Sequence, residues 1–138
     1  MKGTYKGIYK YNKHPDAQHV NNGTLFTLII THQDGTAFKG TVTDDMESGG
    51  TRGEGIIQGT IKNGRIEFIK QMPVMTVMTK HGVRVEIEKK HSPIYYSGIL
   101  NENVFRGSWK IKSGVIINTF IIAFRTGTEG TWQMTKEE

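Results

Sequence analysis

Five histidines, at positions 14, 19, 32, 81 and 91, are the first residues to weigh for chemistry. A metal centre needs several convergent donors. His14 and His19 share a polar stretch, His81 sits beside Gly82 in a turn signal, and none of the five stands at metal-ligand spacing. They read as solvated or capping side chains, and no metal site is expected. His32 differs, because it continues the alternation Phe26, Leu28, Ile30. That places it at the end of an apolar face, where a polar group could touch a ligand. Lys70 is the second such residue. It follows Ile66 and Phe68 and precedes Met72 on one strand face. A lysine on an apolar face must snorkel, pair, or meet a ligand. The functional option is contact with an anion.

The stretch Asp44-Asp45-Met46-Glu47-Ser48-Gly49-Gly50-Thr51-Arg52-Gly53-Glu54 is the longest loop with character. A phosphate loop would end in Lys-Ser/Thr and enter a helix, and this one does neither. Asp44, Asp45, Glu47 and Glu54 could face a calcium ion, but their spacing is not that of an EF-hand loop. A mobile connection at a rim is the expectation. Cysteine is absent, which excludes disulfides and thiolate chemistry. No serine has a nucleophile-elbow context, and no carboxylate pair for acid–base work can be assigned. No catalytic residue and no cofactor is therefore expected, and binding is placed ahead of catalysis.

The elements that would carry His32 and Lys70 are strands. Glycine contributes 17 of 138 residues, which would weaken a helical bundle by roughly 1 kcal/mol at each interior position but suits turns and bends. Turn signals fall regularly, at Asp34-Gly35, Asn63-Gly64, His81-Gly82 and Ser113-Gly114, with a longer break at Asn101-Glu102-Asn103. Between them the sequence predicts strands over 3–12, 24–33, 36–43, 55–62, 65–72, 75–80, 83–90, 94–100, 104–112, 115–125 and 130–135. Period-two alternation supports them. Phe105, Gly107, Trp109 and Ile111 oppose Arg106, Ser108, Lys110 and Lys112. Short turns imply antiparallel neighbours, and a long meander exposes two edges unless it closes. The expectation is a single all-β domain over 1–138, an antiparallel up-and-down barrel of about eight to ten strands.

A short repeat runs through these strands, aromatic or apolar, one residue, Gly, one residue, apolar. Phe38-Lys39-Gly40-Thr41-Val42, Tyr96-Ser97-Gly98-Ile99-Leu100 and Phe105-Arg106-Gly107-Ser108-Trp109 are examples. A missing side chain lets a strand bend or a large neighbour lie across it, so the repeat reads as a device for curvature. The run 115–125 is apolar on both faces, with Ile116, Phe120, Ile122 and Phe124 opposite Val115, Ile117, Ile121 and Ala123. Read as one barrel strand, its outer face needs a cover, and contact with a second copy would supply one.

The net charge is +5, from 18 basic and 13 acidic residues. Basic and aromatic residues alternate in 5–13 and 105–112, as on a platform for single-stranded nucleic acid. An amphipathic barrel strand alternates in the same way, and nucleic acid is not the expected partner. Met1-Lys2-Gly3-Thr4-Tyr5 has no signal-like apolar stretch, and 115–124 is about half a spanning helix. A cytoplasmic location without membrane contact is expected.

The Gly-broken meander, with Phe105-Arg106-Gly107-Ser108-Trp109 and the closing Gly130-Thr131-Trp132, resembles the calycin group of lipocalins, fatty-acid-binding proteins and avidins. Two features depart from the pattern. The first strand reads Gly7-Ile8-Tyr9 where a Gly-x-Trp is usual in lipocalins and avidins. Residues 13–23 are short and polar where fatty-acid-binding proteins carry a helical lid. The resemblance implies an up-and-down barrel with a lumen for a small apolar or amphipathic molecule. Tyr9, His32, Phe38, Phe68, Lys70, Tyr96, Phe105, Trp109 and Trp132 are the expected ligand contacts. The alternatives are a homo-oligomeric module joined through 115–125, and an enzyme at the barrel mouth using His32 and Lys70.

Overall fold

The structure is a computed structural model, and it describes residues 1–12, 23–73, 75–78, 84–87, 93–111, 114–117, 122–125 and 128–137. Strands β1 (Gly3–Tyr11), β2 (Thr24–Asp34), β3 (Ala37–Asp44), β4 (Glu54–Lys62) and β5 (Arg65–Gln71) follow one another as antiparallel neighbours. Two short strands, β6 (Met75–Met78) and β7 (Arg84–Ile87), come next, followed by β8 (Ile94–Asn101) and β9 (Val104–Ile111). The chain ends with β10 (Gly114–Ile117), β11 (Ile122–Arg125) and β12 (Thr128–Lys136). Eight of these strands, in the order β1-β2-β3-β4-β5-β8-β9-β12, close into a barrel when β12 pairs with β1. Closure removes both sheet edges. Among the described residues, no helix is long and apolar enough to cross a membrane.

The other four strands form two hairpins of their own, β6 with β7 and β10 with β11. This corrects the reading of 115–125 as one barrel strand. Val115 stands opposite Phe124 and Ile117 opposite Ile122 in the hairpin register. The β-branched residues on either side carry the same local signal whether they form one strand or two that fold back, and Asn118, a turn-tolerant residue between β10 and β11, is the one sequence mark of the reversal. Likewise β6 and β7 pair with each other and, among the described residues, with no barrel strand, and they come in sequence between the barrel neighbours β5 and β8.

Alternation decides which side chains enter the barrel. Tyr5 and Tyr9, Phe26, Leu28 and Ile30, Phe38 and Val42, Ile66 and Phe68, and Trp132 and Met134 are all buried, each two or four residues from the next on its strand. Their exposed neighbours, Lys6, Lys10, Glu67, Arg106 and Lys110, face out. The turns match their residues. Asn63 and Gly64 take φ of 52° and 78°, and Glu102 and Asn103 take 51° and 69°. Two consecutive positive values define the turn whose twist fits a two-residue hairpin.

Inward glycines make room for the two tryptophans. A Cβ on Gly98 would stand 2.8 Å from Cζ2 of Trp132. The indole lies against the wall there, and Nε1 donates to the carbonyls of Ser97 and Ser108, both at 3.1 Å. Trp109 repeats the device against Gly130, whose Cβ would meet the indole carbons at 2.6 Å. Its Nε1 donates to the carbonyls of Lys10 at 3.1 Å and Thr131 at 3.2 Å. A buried indole thereby keeps its polar atom satisfied.

Candidate functional site

The two ends of the barrel differ. At one end the strands are joined by two-residue turns, Gly35-Thr36, Asn63-Gly64 and Glu102-Asn103. At the other end leave all the longer connections, 12–23, 45–53, 72–93 and 112–127. Connections of this kind, held on a rigid scaffold, are where binding groups concentrate. The buried charges of the barrel lie at this end.

Asp44 is the last residue of β3 and continues the inward alternation Phe38, Gly40, Val42. Lys70 continues the inward face of β5 after Phe68. Their side chains are 2% and 3% exposed, and Lys70 Nζ lies 2.7 Å from Asp44 Oδ1. Asp44 Oδ2 accepts from the Tyr9 hydroxyl at 3.2 Å and from the Thr51 backbone N–H at 3.3 Å. Each lone charge would be expensive away from water, whereas paired and hydrogen-bonded they are tolerated. The amine also sits over the Tyr9 ring, 4.7 Å from its centroid, with the Phe26 and Tyr96 rings at 5.9 and 6.0 Å. A cation over ring faces is attracted by the ring quadrupoles.

Burial pulls the Lys70 amine below its ordinary range, and the Asp44 carboxylate acts against that. Burial pushes the Tyr9 and Tyr96 hydroxyls well above theirs, and the charge of Asp44 adds to it. Both tyrosines are therefore neutral O–H groups across the ordinary pH range.

The connection after β3 is tied down. It makes a single 3-10 turn, Met46–Ser48. Ser48 accepts from the Thr24 hydroxyl at 2.9 Å through its carbonyl, and from the Leu25 N–H at 3.0 Å through Oγ. The Asp45 N–H donates to the Leu25 carbonyl at 2.8 Å. A bonded connection thus replaces the expected mobile one, and it presents the Thr51 N–H to Asp44.

The expected ligand residues divide into four groups. Tyr9, Lys70, Tyr96 and Trp109 come together at the long-connection end, where Tyr9 and Trp109 meet edge to face at 6.0 Å. Tyr11 extends this group, 5.0 Å from Trp109. Phe38, Phe68 and Trp132 form a layer below them. Phe68 stacks on Tyr96 at 4.6 Å and touches Trp132 at 5.5 Å and Phe38 at 6.2 Å. That level of the lumen is occupied by rings in contact. Phe105 lies further down, 6.1 Å from Tyr5.

His32 stands apart. Register shifts between Ile30 and His32, so His32 pairs with Lys39 instead of continuing the face of Ile30. It is exposed near the Gly35-Thr36 turn, within 2.8 Å of the Thr31 hydroxyl. An inserted residue flips every side chain that follows it, and this bulge removes His32 from the ligand set. His32 and Lys70 therefore do not share one mouth. His14, His19, His81 and His91 lie outside the described residues.

Local spacing presents Asp44 only as a possible calcium donor. Its signal was nonetheless present, since period two from Phe38 reaches Asp44 as surely as period two from Ile66 reaches Lys70. Two opposite charges on two inward faces imply a pair.

Two hollows are lined by residues of the barrel wall. One, of about 400 Å³, lies beside the Asn63-Gly64 turn among Thr60, Lys62, Arg65 and Glu67. The other, of about 500 Å³, spans β4, β5, β8 and β9 and is lined by Glu67, Tyr95 and Lys110 together with the expected ligand residues Phe68, Tyr96 and Trp109.

Fold and site together define an eight-stranded, closed antiparallel barrel with one polar pair sealed among aromatic rings. No family model matches the chain, and it matches neither a curated protein nor a solved structure.

Proposed function

We propose that this is a calycin-like barrel that binds a small apolar or amphipathic molecule at the end from which the long connections leave. The observation that carries the reading is the Lys70–Asp44 pair, buried among the rings of Tyr9, Tyr96 and Phe26. Binding sites are mostly apolar, with a few placed polar groups, and the mouths of barrels are among their preferred positions. The lower layer of Phe38, Phe68 and Trp132 would serve as a floor, so the ligand sits above it among Tyr9, Tyr11, Tyr96 and Trp109. Titration with the neutral dyes Nile red and N-phenylnaphthylamine tests this, together with native mass spectrometry of the freshly purified protein. Dye fluorescence should rise with saturation, and the rise should be lost in Trp109→Ala. No saturable rise and no co-purifying mass would refute it.

A second reading rests on the separate hairpin. Its described positions are almost wholly apolar, namely Val115, Ile116, Ile117, Ile122, Ala123 and Phe124. An isolated two-stranded hairpin is marginal in water, and contact with a second copy would stabilise it. Light scattering that gives a monomer mass at high concentration would exclude this.

A further inference from the structure

We infer that the group read by this mouth is an uncharged hydrogen-bond acceptor, a carbonyl above all, carried on a flat apolar body and received by Lys70 Nζ and the Tyr96 hydroxyl. The inference rests on the ligand-binding reading and specifies the chemistry of the ligand's polar end.

The argument is an account of donors and acceptors. An ammonium group has three N–H donors. Lys70 gives one to Asp44 Oδ1, and makes no second hydrogen bond among the described residues. Tyr96 is 4% exposed, and its hydroxyl makes no hydrogen bond among the described residues. Its ring contacts are to Phe68 and Trp132, and the Lys70 amine is 6.0 Å from its centroid. Buried donors without a partner cost free energy. The two donors are neighbours, the amine lying 6.0 Å from the Tyr96 ring centroid, so the complement of both is an acceptor.

Charge then narrows the acceptor. The carboxylate of Asp44 already neutralises the Lys70 amine, the one buried cation among the described residues. A carboxylate ligand would bring a second negative charge beside Asp44 with no cation left for it, at the cost of full desolvation. An ammonium ligand would need a free acceptor, yet Asp44 is engaged by Lys70, Tyr9 and Thr51. A neutral oxygen satisfies the free donors without adding charge. The ring faces of Tyr9, Phe26 and Tyr96 favour a flat, apolar remainder.

Three probes of one shape test this: acetylnaphthalene, ethylnaphthalene and naphthoate, titrated calorimetrically at neutral pH into the wild type, Tyr96→Phe and Lys70→Met. Acetylnaphthalene should bind roughly 10-fold tighter than ethylnaphthalene, the value of one or two net hydrogen bonds, and tighter than naphthoate by at least as much. Tyr96→Phe removes a donor without orphaning a partner, so it should fold normally. It should cut the acetyl-over-ethyl preference about 5-fold and leave ethylnaphthalene unchanged. Lys70→Met leaves Asp44 buried without its cation, so it is first checked for folding by a thermal melt, and the folded variant should lose the same preference about 5-fold. Equal binding of acetyl- and ethylnaphthalene, or tighter binding of naphthoate, would overturn the neutral acceptor while leaving a ligand site in place. Binding of none of the three would overturn the site as well.

Discussion

Replacing Asp44 with Asn isolates the contribution of the buried pair. The substitution keeps the shape of the side chain and removes its charge, leaving the Lys70 amine buried over Tyr9 with no counter-ion. Breaking a buried pair by deleting one partner costs about 3–5 kcal/mol. Unfolding entropy of about 2.1 cal/mol/K per residue, over 138 residues, gives about 0.3 kcal/mol per degree. The melting temperature of Asp44→Asn should therefore fall by roughly 10–17 °C. Asp44→Leu combined with Lys70→Met removes both charges and should return to within about 1 kcal/mol of the wild type. The variant should also depend on pH in a defined sense. Burial already lowers the Lys70 amine from 10.5, and Asp44 opposes that shift. Without Asp44 the folded amine titrates lower still, while the unfolded amine keeps its ordinary value. Between those two values the unfolded chain holds the extra proton, so the stability of Asp44→Asn rises with pH across that window. Urea denaturation and thermal melts at several pH values supply all three numbers. A loss below about 1 kcal/mol in the single variant, or a double variant as unstable as the sum of its singles, would show that the pair is not energetically coupled.

The tyrosines act in the opposite sense. The folded hydroxyls of Tyr9 and Tyr96 are raised well above 10.0, and Tyr5 is raised by burial. Their contribution is complete below 10.0 and is lost as pH climbs through the folded values; a urea midpoint that stays level from pH about 10 upwards would contradict it. Trp109→Phe strands the carbonyls of Lys10 and Thr131 and should cost about 2–3 kcal/mol by chemical denaturation. Gly98→Val places a side chain where the Trp132 ring lies and should cost at least about 2 kcal/mol, with a red shift of tryptophan emission as the indole is displaced. His32→Ala should leave dye binding unchanged and stability within about 0.5 kcal/mol, because the residue is exposed at the other end.

What could be read from the sequence was whatever depends on neighbours along the chain. Side chains alternate across a strand by geometry, so the inward sets of β1, β5, β8 and β9 follow from position alone. Positive-φ turns need residues that tolerate them, so Asn63-Gly64 announces its hairpin. A meander of such units closes because open edges are unfavourable, which gives the barrel. Lys70 stood out because an inward lysine needs an explanation.

What only the tertiary structure decided was whatever depends on register and on strands distant in sequence. One inserted residue between Ile30 and His32 moves His32 from the lumen face to the outside, and no residue type there signals it. The fold-back inside 115–125 separates a hairpin from the barrel although, Asn118 apart, the run is dominated by strand-favouring apolar residues. Asp44 and Lys70 are 26 residues apart and meet only because the closed, coiled wall brings the ends of β3 and β5 to one mouth. Local propensity acts within a few residues, whereas the partner of a buried charge is chosen by closure of the whole sheet.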